Sequence, residues 1–249
     1  MSHQTQEVMR LARADPSNAI AELLEPLDFR NNSWSIGLVS YCNYNDSITN
    51  LTSQSRSNKQ AYADHHGYKL FHFETPFMAN AHPWMNKLIA IQRTLHEVDW
   101  LFWVDCDLFF MNPGVTVDAL IRSALNRNAE AAMLIAEDGM MLNSGSFLLR
   151  NGDWSTTFLA DTVDLLSAPM PYSFQHMPWH EQAPLIYLTM VPGVLNWSST
   201  SDLQEAPLSS GYDPHVVLLP QHAMNSYPPD VVQRTGHALM HEGFTPGDM

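Results

Sequence analysis

The run Trp100-Leu101-Phe102-Trp103-Val104 is apolar at every position and is followed at once by Asp105-Cys106-Asp107. Five residues are too few for a helix in that setting, and a strand with no polar face must be covered on both sides. The run therefore reads as a central strand of a sheet that carries helices on each face, and it places two carboxylates at the strand's carboxyl end.

The flanking sequence supplies the rest of such a sheet. Ser35 to Ser40 is a short apolar run feeding a polar Asn/Ser/Thr-rich loop, which gives way at Ser57 to a helix stopped by His66-Gly67; Tyr68 to Phe73 then reads as a second strand. Trp84, Leu88, Ile91 and Leu95 form one stripe of a helix that ends near Glu97. Beyond Asp105 the pattern predicts a helix over Val115 to Asn126, strands over Ala132 to Ala136 and Gly145 to Leu149, and a helix opened by Asp153 or Ser155. Alternating strands and helices imply an α/β fold, a doubly wound, mostly parallel sheet flanked by helices. Residues 1–33, with helical periodicity broken at Asp15-Pro16 and Glu25-Pro26, read as an N-terminal helical extension; 34–249 read as a single domain, ending in a Pro-rich third of short elements and long loops.

Charge narrows the partners. Twenty-six acids against 12 Lys plus Arg give a formal charge of −14 over 249 residues. A surface of that sign gains nothing from a nucleic-acid backbone or anionic lipid, so neither is expected as a partner. An anionic substrate would need a local cation. The two cysteines, Cys42 and Cys106, are expected as small buried packing residues of a protein from a reducing compartment. With no apolar run of about 18 residues and no basic start before a hydrophobic segment, neither a membrane span nor a secretory signal is read, and the expected location is cytoplasmic.

The chemistry points to the same strand end. Ligands of open α/β sheets bind at the carboxyl ends of strands, where Asp105 and Asp107 fall. Paired carboxylates suit a hard divalent cation, Mn²⁺ or Mg²⁺, which would also bridge an acidic protein to a diphosphate. His241, in the late segment His237-Ala-Leu-Met-His241-Glu-Gly243, is a reasonable third ligand, with His237 competing for the role. Asn143-Ser144-Gly145 reads as a polar turn entering an apolar strand, with Gly145 letting the backbone approach a ligand. Lys87 is a cation able to offset diphosphate charge.

These pieces resemble glycosyltransferase family 34, the retaining α-galactosyl-, α-mannosyl- and α-xylosyltransferases of fungi and plants. The resemblance covers about Ile36 to Gly243 and rests on Asn58-Lys59 through Tyr62, His66-Gly67-Tyr68, Trp84 with Lys87, Trp103-Val-Asp-Cys-Asp107, Leu142 through Asn151, Glu181-Gln182 and His241. It implies a GT-A fold, a Mn²⁺-dependent nucleotide-sugar donor (UDP- or GDP-linked), a saccharide or other hydroxyl acceptor and an α-linked product. By position it implies Asp105, Asp107 and His241 as metal ligands. Ser40, Tyr41, Asn58, Tyr62 and Lys87 fall in the nucleotide cradle, and Asn143 and Gly145 beside the donor sugar. The resemblance further implies that Gln182, with Glu181 beside it, faces the reactive carbon; retention permits a covalent double displacement or a same-face substitution, and the latter is expected, with Gln182 as the oxygen that stabilises positive charge. Two other readings compete. A sugar-nucleotide-forming nucleotidyltransferase would show a Gly-rich basic loop after the first strand, where Ser40-Tyr-Cys-Asn-Tyr-Asn45 stands. A non-catalytic carbohydrate-binding protein would not need Asp105, Asp107, Lys87 and His241 together.

Overall fold

The computed structural model describes residues 34–44, 50–79, 82–137, 142–167, 180–189, 212–219 and 221–226. The N-terminal extension expected over 1–33 lies outside them, as do His237 and His241. In chain order the described elements are β1 (Ile36–Tyr41), α1 (Leu51–His66), β2 (Lys69–Phe73), α2 (Pro83–Thr94), β3 (Trp100–Val104), α3 (Val117–Arg127), β4 (Met133–Glu137), β5 (Leu142–Arg150), α4 (Asp153–Ser167), α5 (Gln182–Thr189) and β6 (Val216–Leu219). The strands form one sheet in the order β2-β1-β3-β5-β4-β6.

β3 is central and buried along its whole length, as its sequence requires. Its side chains alternate between two cores. Leu101 and Trp103 join Leu88 and Ile91 of α2, Phe158 and Leu159 of α4, and Leu185 and Ile186 of α5. Trp100, Phe102 and Val104 join Tyr62 and Ala63 of α1 and Val117, Ile121 and Ala124 of α3. The result is three layers, with helices on both faces of the sheet. Leu101, Leu134 and Ile135 are at most 1% exposed, and burying each such side chain stabilises the fold by roughly 1.5–3 kcal/mol.

The sheet is mostly parallel, as expected, with one strand reversed, and two other expectations are corrected. β1, β2 and β3 run parallel, and so do β4 and β6, but β5 is antiparallel to both its neighbours. The reason lies in the spacing, because the link between β4 and β5, residues 138–141, is far too short for the crossover that a parallel pair needs. β5 also begins at Leu142, so Asn143, Ser144 and Gly145 lie in the strand and not in a turn before it. The ladder shifts register between Ile135 and Ala136 to accommodate them.

The second correction is α1, which starts at Leu51 and not near Ser57. Its buried positions are Thr52, Ser55, Lys59, Tyr62 and Ala63, which keep the spacing of a helix face while being mostly polar, so a search for apolar periodicity passes over them. The helix ends as expected at Gly67, whose left-handed φ of 73° lets its N–H close onto Ala63 O.

Candidate active site

The reversed strand builds the site. Because β5 runs against β3, its first residues lie beside the carboxyl end of β3: Val104 pairs with Ser146, and Asp105 N–H donates to Gly145 O at 2.8 Å. Residues distant in sequence, Asp105 and Asn143-Ser144-Gly145, are thereby brought together. Asp105 is held in place by Trp103, whose indole N–H donates to Oδ1 at 2.7 Å. Its side chain stays 36% exposed, and the carboxyl of Asp107 two residues on faces solvent.

Lys87 anchors the cluster from α2. Only 5% exposed, its Nζ lies 3.0 Å from Glu181 Oε1 and 3.3 Å from Asp105 Oδ1, and it donates to Ser144 O at 2.5 Å. The ring of Trp103 lies beneath it, 5.0 Å from Nζ to the centroid. Burial alone lowers the pKa of this ammonium, but the carboxylates of Asp105 and Glu181 outweigh burial and hold it above the ordinary lysine value. Burial raises the pKa of the Asp105 carboxyl above the usual range against the pull of Lys87 and the Trp103 N–H, and nearby Glu181 and Asp107 add to the rise. Lys87 is thus a shared counter-ion of Asp105 and Glu181.

Ser144 ties the last pair in. Its N–H and hydroxyl lie 3.2 and 3.1 Å from Gln182 Oε1, and the hydroxyl lies 3.2 Å from Glu181 Oε1. Glu181 and Gln182 at the start of α5 are therefore brought to Lys87 and Asp105. Asn143 Oδ1 accepts from Gly145 N–H at 2.8 Å and from Asn225 Nδ2 at 2.6 Å. Asn225 was not foreseen, since a lone Asn after a strand carries no signal in sequence. It is 4% exposed. Gly145 is required here, because a Cβ on it would stand 2.9 Å from both Asn143 Oδ1 and Asn225 Nδ2.

A different set of residues supports the loop that carries Asp107. Lys59, fully buried, donates to Ser55 Oγ, Leu108 O and Cys106 O at 2.5, 2.9 and 3.3 Å. Burial lowers its pKa to about 8 despite the opposing pull of Asp105 and Asp107. Asn58 clamps the backbone of Phe110 at both ends of its amide, at 2.9 and 2.7 Å. The Tyr62 hydroxyl donates to Val115 O at 2.6 Å while its ring stacks on Phe110 at 3.8 Å. Asn58 and Tyr62, expected in the nucleotide cradle, hold the loop after Asp107. Cys42 and Cys106 are buried as expected but form a disulfide, with Cα atoms 5.0 Å apart, joining the ends of β1 and β3. The expectation of free packing thiols is corrected. The signal was present in their positions just past two strands that pair side by side. The argument from the cysteines for a reducing compartment goes with it, since disulfides persist in oxidising ones.

Ser40 and Tyr41 end β1 beside this loop, and both are buried; among the described residues Ser40 Oγ has no hydrogen-bond partner. Three residues on, Tyr44 is 53% exposed, and burial together with Asp107 and Asp105 raises its hydroxyl pKa. A hard divalent cation suits the pair of carboxylates. Asp107 is solvent-facing, and the missing Cβ of Gly145, which would stand 3.5 Å from Asp105 Oδ2, leaves that oxygen uncovered. Among the described residues no group of three His, Cys, Asp or Glu gathers there; the expected third ligand, His241, lies outside them. Nor, among the described residues, is any helix long and apolar enough to cross a membrane.

Residues 36–194 match the galactosyl transferase GMA12/MNN10 family. Among its relatives, the chain is 26% identical over 161 residues to an uncharacterized alpha-1,2-galactosyltransferase of Schizosaccharomyces pombe, covering 52% of this chain and 45% of that protein. It is 27% identical over 158 residues to the probable alpha-1,6-mannosyltransferase MNN10 of Saccharomyces cerevisiae, covering 51% and 39%. To glycosyltransferase 6 of Arabidopsis thaliana it is 25% identical over 134 residues, covering 49% and 29%. The matched stretch thus spans less than half the length of each of these relatives. In structure it is similar to a glycosyltransferase involved in the glycosylation of the major capsid of PBCV-1, with a TM-score of 0.52 at 12% identity over 76% of this chain and 82% of that one. That likeness supports the GT-A reading of the fold.

Proposed function

Because the chain belongs to the galactosyl transferase GMA12/MNN10 family, we propose that it transfers a hexose or pentose from a UDP- or GDP-sugar to a hydroxyl of a saccharide or other acceptor, with metal dependence and retention of the α configuration. The observation that carries this reading is the convergence of Lys87, Asp105, Ser144, Glu181 and Gln182 at one corner of the sheet. Family membership sets aside the nucleotidyltransferase reading.

Asp105 and Asp107 would hold Mn²⁺ or Mg²⁺, with His241 as the candidate third ligand; when bound, the cation supplies positive charge for the departing diphosphate. The rest is work for the chain's own groups. Lys87 fixes the Asp105 and Glu181 carboxyls against each other, so neither reorients as charge develops. In the proposed same-face substitution the bond from the anomeric carbon to the phosphate oxygen breaks with its electron pair staying on the diphosphate. The acceptor oxygen bonds that carbon from the same side, and its proton passes to the departing phosphate. Gln182 Oε1, oriented by Ser144, stabilises the positive charge in between, and Glu181 positions it.

A thermal-shift panel of UDP- and GDP-sugars with Mn²⁺ identifies the donor, since ligand binding to the folded state raises Tm. With that donor, Gln182→Ala is expected to lower kcat by roughly 100-fold while leaving donor KM within about threefold, the pattern of an interaction made in the transition state. The first-formed product is expected to show an α anomeric coupling by NMR. A β-linked product, or no donor turnover with any sugar in the panel, overturns the proposal.

A further inference from the structure

Three aromatic rings stand at the rim of the site and take no part in the contacts just described. His82 caps the start of α2, Trp84 is the second residue of that helix, and His180 immediately precedes Glu181. Their ring planes are nearly parallel, within 11°, 23° and 13° of one another, and their centroids are 5.7, 5.9 and 6.0 Å apart. A column of three stacked rings would put its outer members at least ~7 Å apart, twice a ~3.5 Å contact. The near-equal separations therefore exclude a column, and at least two of the rings lie side by side. His82 and His180 are exposed and Trp84 is half-buried, so the rings pave a surface where packing residues would fill a core.

Two further details mark this as a built feature. His180 has a left-handed φ of 41°, a conformation that costs a non-glycine residue energy and is found where the surrounding structure demands it. That backbone turn is what sets its ring beside the other two while Glu181 reaches Lys87. The Trp84 indole N–H is buried and has no acceptor among the described residues, an unsatisfied donor that costs stability.

Its position limits what it binds. Trp84 precedes Lys87 by three residues, so it lies about 4.5 Å further along the helix axis toward the open rim, and His180 is adjacent to the other partner of Lys87. The platform thus borders the reacting corner at the start of α2 and just before α5. On the reading of the site as a glycosyl transfer centre, we propose that the His82–Trp84–His180 platform is the acceptor subsite and that its ligand is a pyranose. The C–H face of a pyranose packs on the electron-rich faces of the rings, which leaves one hydroxyl directed toward Glu181 and Gln182.

Saturation-transfer NMR tests this on the full chain, irradiating aromatic protons in the presence of methyl α-D-mannopyranoside, methyl α-D-galactopyranoside or cellotetraose, with UMP and GMP as separate arms. Ring C–H protons of at least one pyranoside are expected to receive saturation, and the His82→Ala/His180→Ala variant to weaken that pyranoside's affinity by about tenfold. Both side chains are exposed, so the variant spares the cores. Trp84→Phe, which keeps a ring but removes the N–H, is expected to fall between the two, and in transfer assays the variants should raise acceptor KM far more than they lower kcat. No saturation of any pyranoside, unchanged pyranoside affinity in the variants, or a loss confined to the nucleotides overturns the assignment. Failure of the transfer reading itself would show separately, as absence of donor turnover in the unaltered chain.

Discussion

Two buried lysines flank the Asp105–Asp107 loop, and they do opposite things. Lys59 meets a hydroxyl and two backbone carbonyls, and burial draws its pKa down to about 8. Lys87 meets two carboxyls, and these hold its pKa up against the same burial. Both side chains are out of solvent and both carry a charge into the interior, so burial alone does not separate a structural cation from a functional one. The partners do. Neutral acceptors make Lys59 a brace for the loop's backbone, and ionisable partners make Lys87 part of an electrostatic centre.

That contrast can be broken by substitution. Lys87→Met is expected to lower kcat/KM about 1,000-fold, roughly 4 kcal/mol, because it leaves Asp105 and Glu181 to repel each other without their cation. Steady-state kinetics with the identified donor measures it, and a variant within about tenfold of the parent would return Lys87 to a packing role. Lys59→Met should act on the other axis. Leaving Cys106 O and Leu108 O without a donor is expected to cost about 3 kcal/mol in denaturant unfolding, while the folded fraction keeps transfer within about tenfold. If the stability loss belonged to Lys87 alone and the kinetic loss to Lys59, the two assignments would have to be exchanged.

The smallest effect sharpens the Lys59 side. His72 of β2 pairs in register with Ser40, its side chain is 2% exposed, and among the described residues its ring nitrogens have no hydrogen-bond partner. Burial lowers its pKa from 6.5 to about 4, with Lys59 and Arg56 adding to the drop and Glu74 opposing it. A folded pKa below the unfolded one means that the unfolded chain takes up the proton first as pH falls. Stability is therefore lost from about pH 6.5 downward, amounting to about 2 kcal/mol by pH 5 and levelling off below pH 4. Urea midpoints across that range should show this slope in the parent and a shallower one in His72→Leu. Parallel profiles would mean that His72 is not the titrating group.

Sequence reached one side of the site more fully than the other. The Trp100–Val104 strand announced itself because every residue is apolar, and Asp105 and Asp107 followed from its end. Lys87, Glu181 and Gln182 were found through resemblance, and the structure brings them together at that end. The supporting side was harder to read. α1 buries Thr52, Ser55 and Lys59, so its inner face looks like a loop to any test that counts hydrophobic residues. Asn143 to Gly145 looked like a turn because a strand that lines a ligand site is polar there by necessity. Asn225 lies 82 residues from the Asn143 it bonds, and only tertiary structure discloses that meeting. The reversed direction of β5, by contrast, was legible in the sequence, since even the eight residues between the strands expected over Ala132 to Ala136 and Gly145 to Leu149 are too few for a parallel crossover.

That reversal also restricts how the length of the chain can vary. Between Asp107 and α3 the backbone passes through a loop held at Leu108, Phe110 and Val115, so length there can change only between those points while the strand ends stay in place. From Ser146 to Arg150 every residue is registered against β3, with Arg150 opposite Trp100 and Ser146 opposite Val104. Adding or removing one residue in that stretch would turn Ser144 to the opposite face of the sheet and away from Lys87 and Gln182. Variants in residue count should therefore collect between the fixed points of the loop after Asp107, whereas the five positions of β5 from Ser146 to Arg150 form a segment of fixed length, immune to insertion for as long as the site functions.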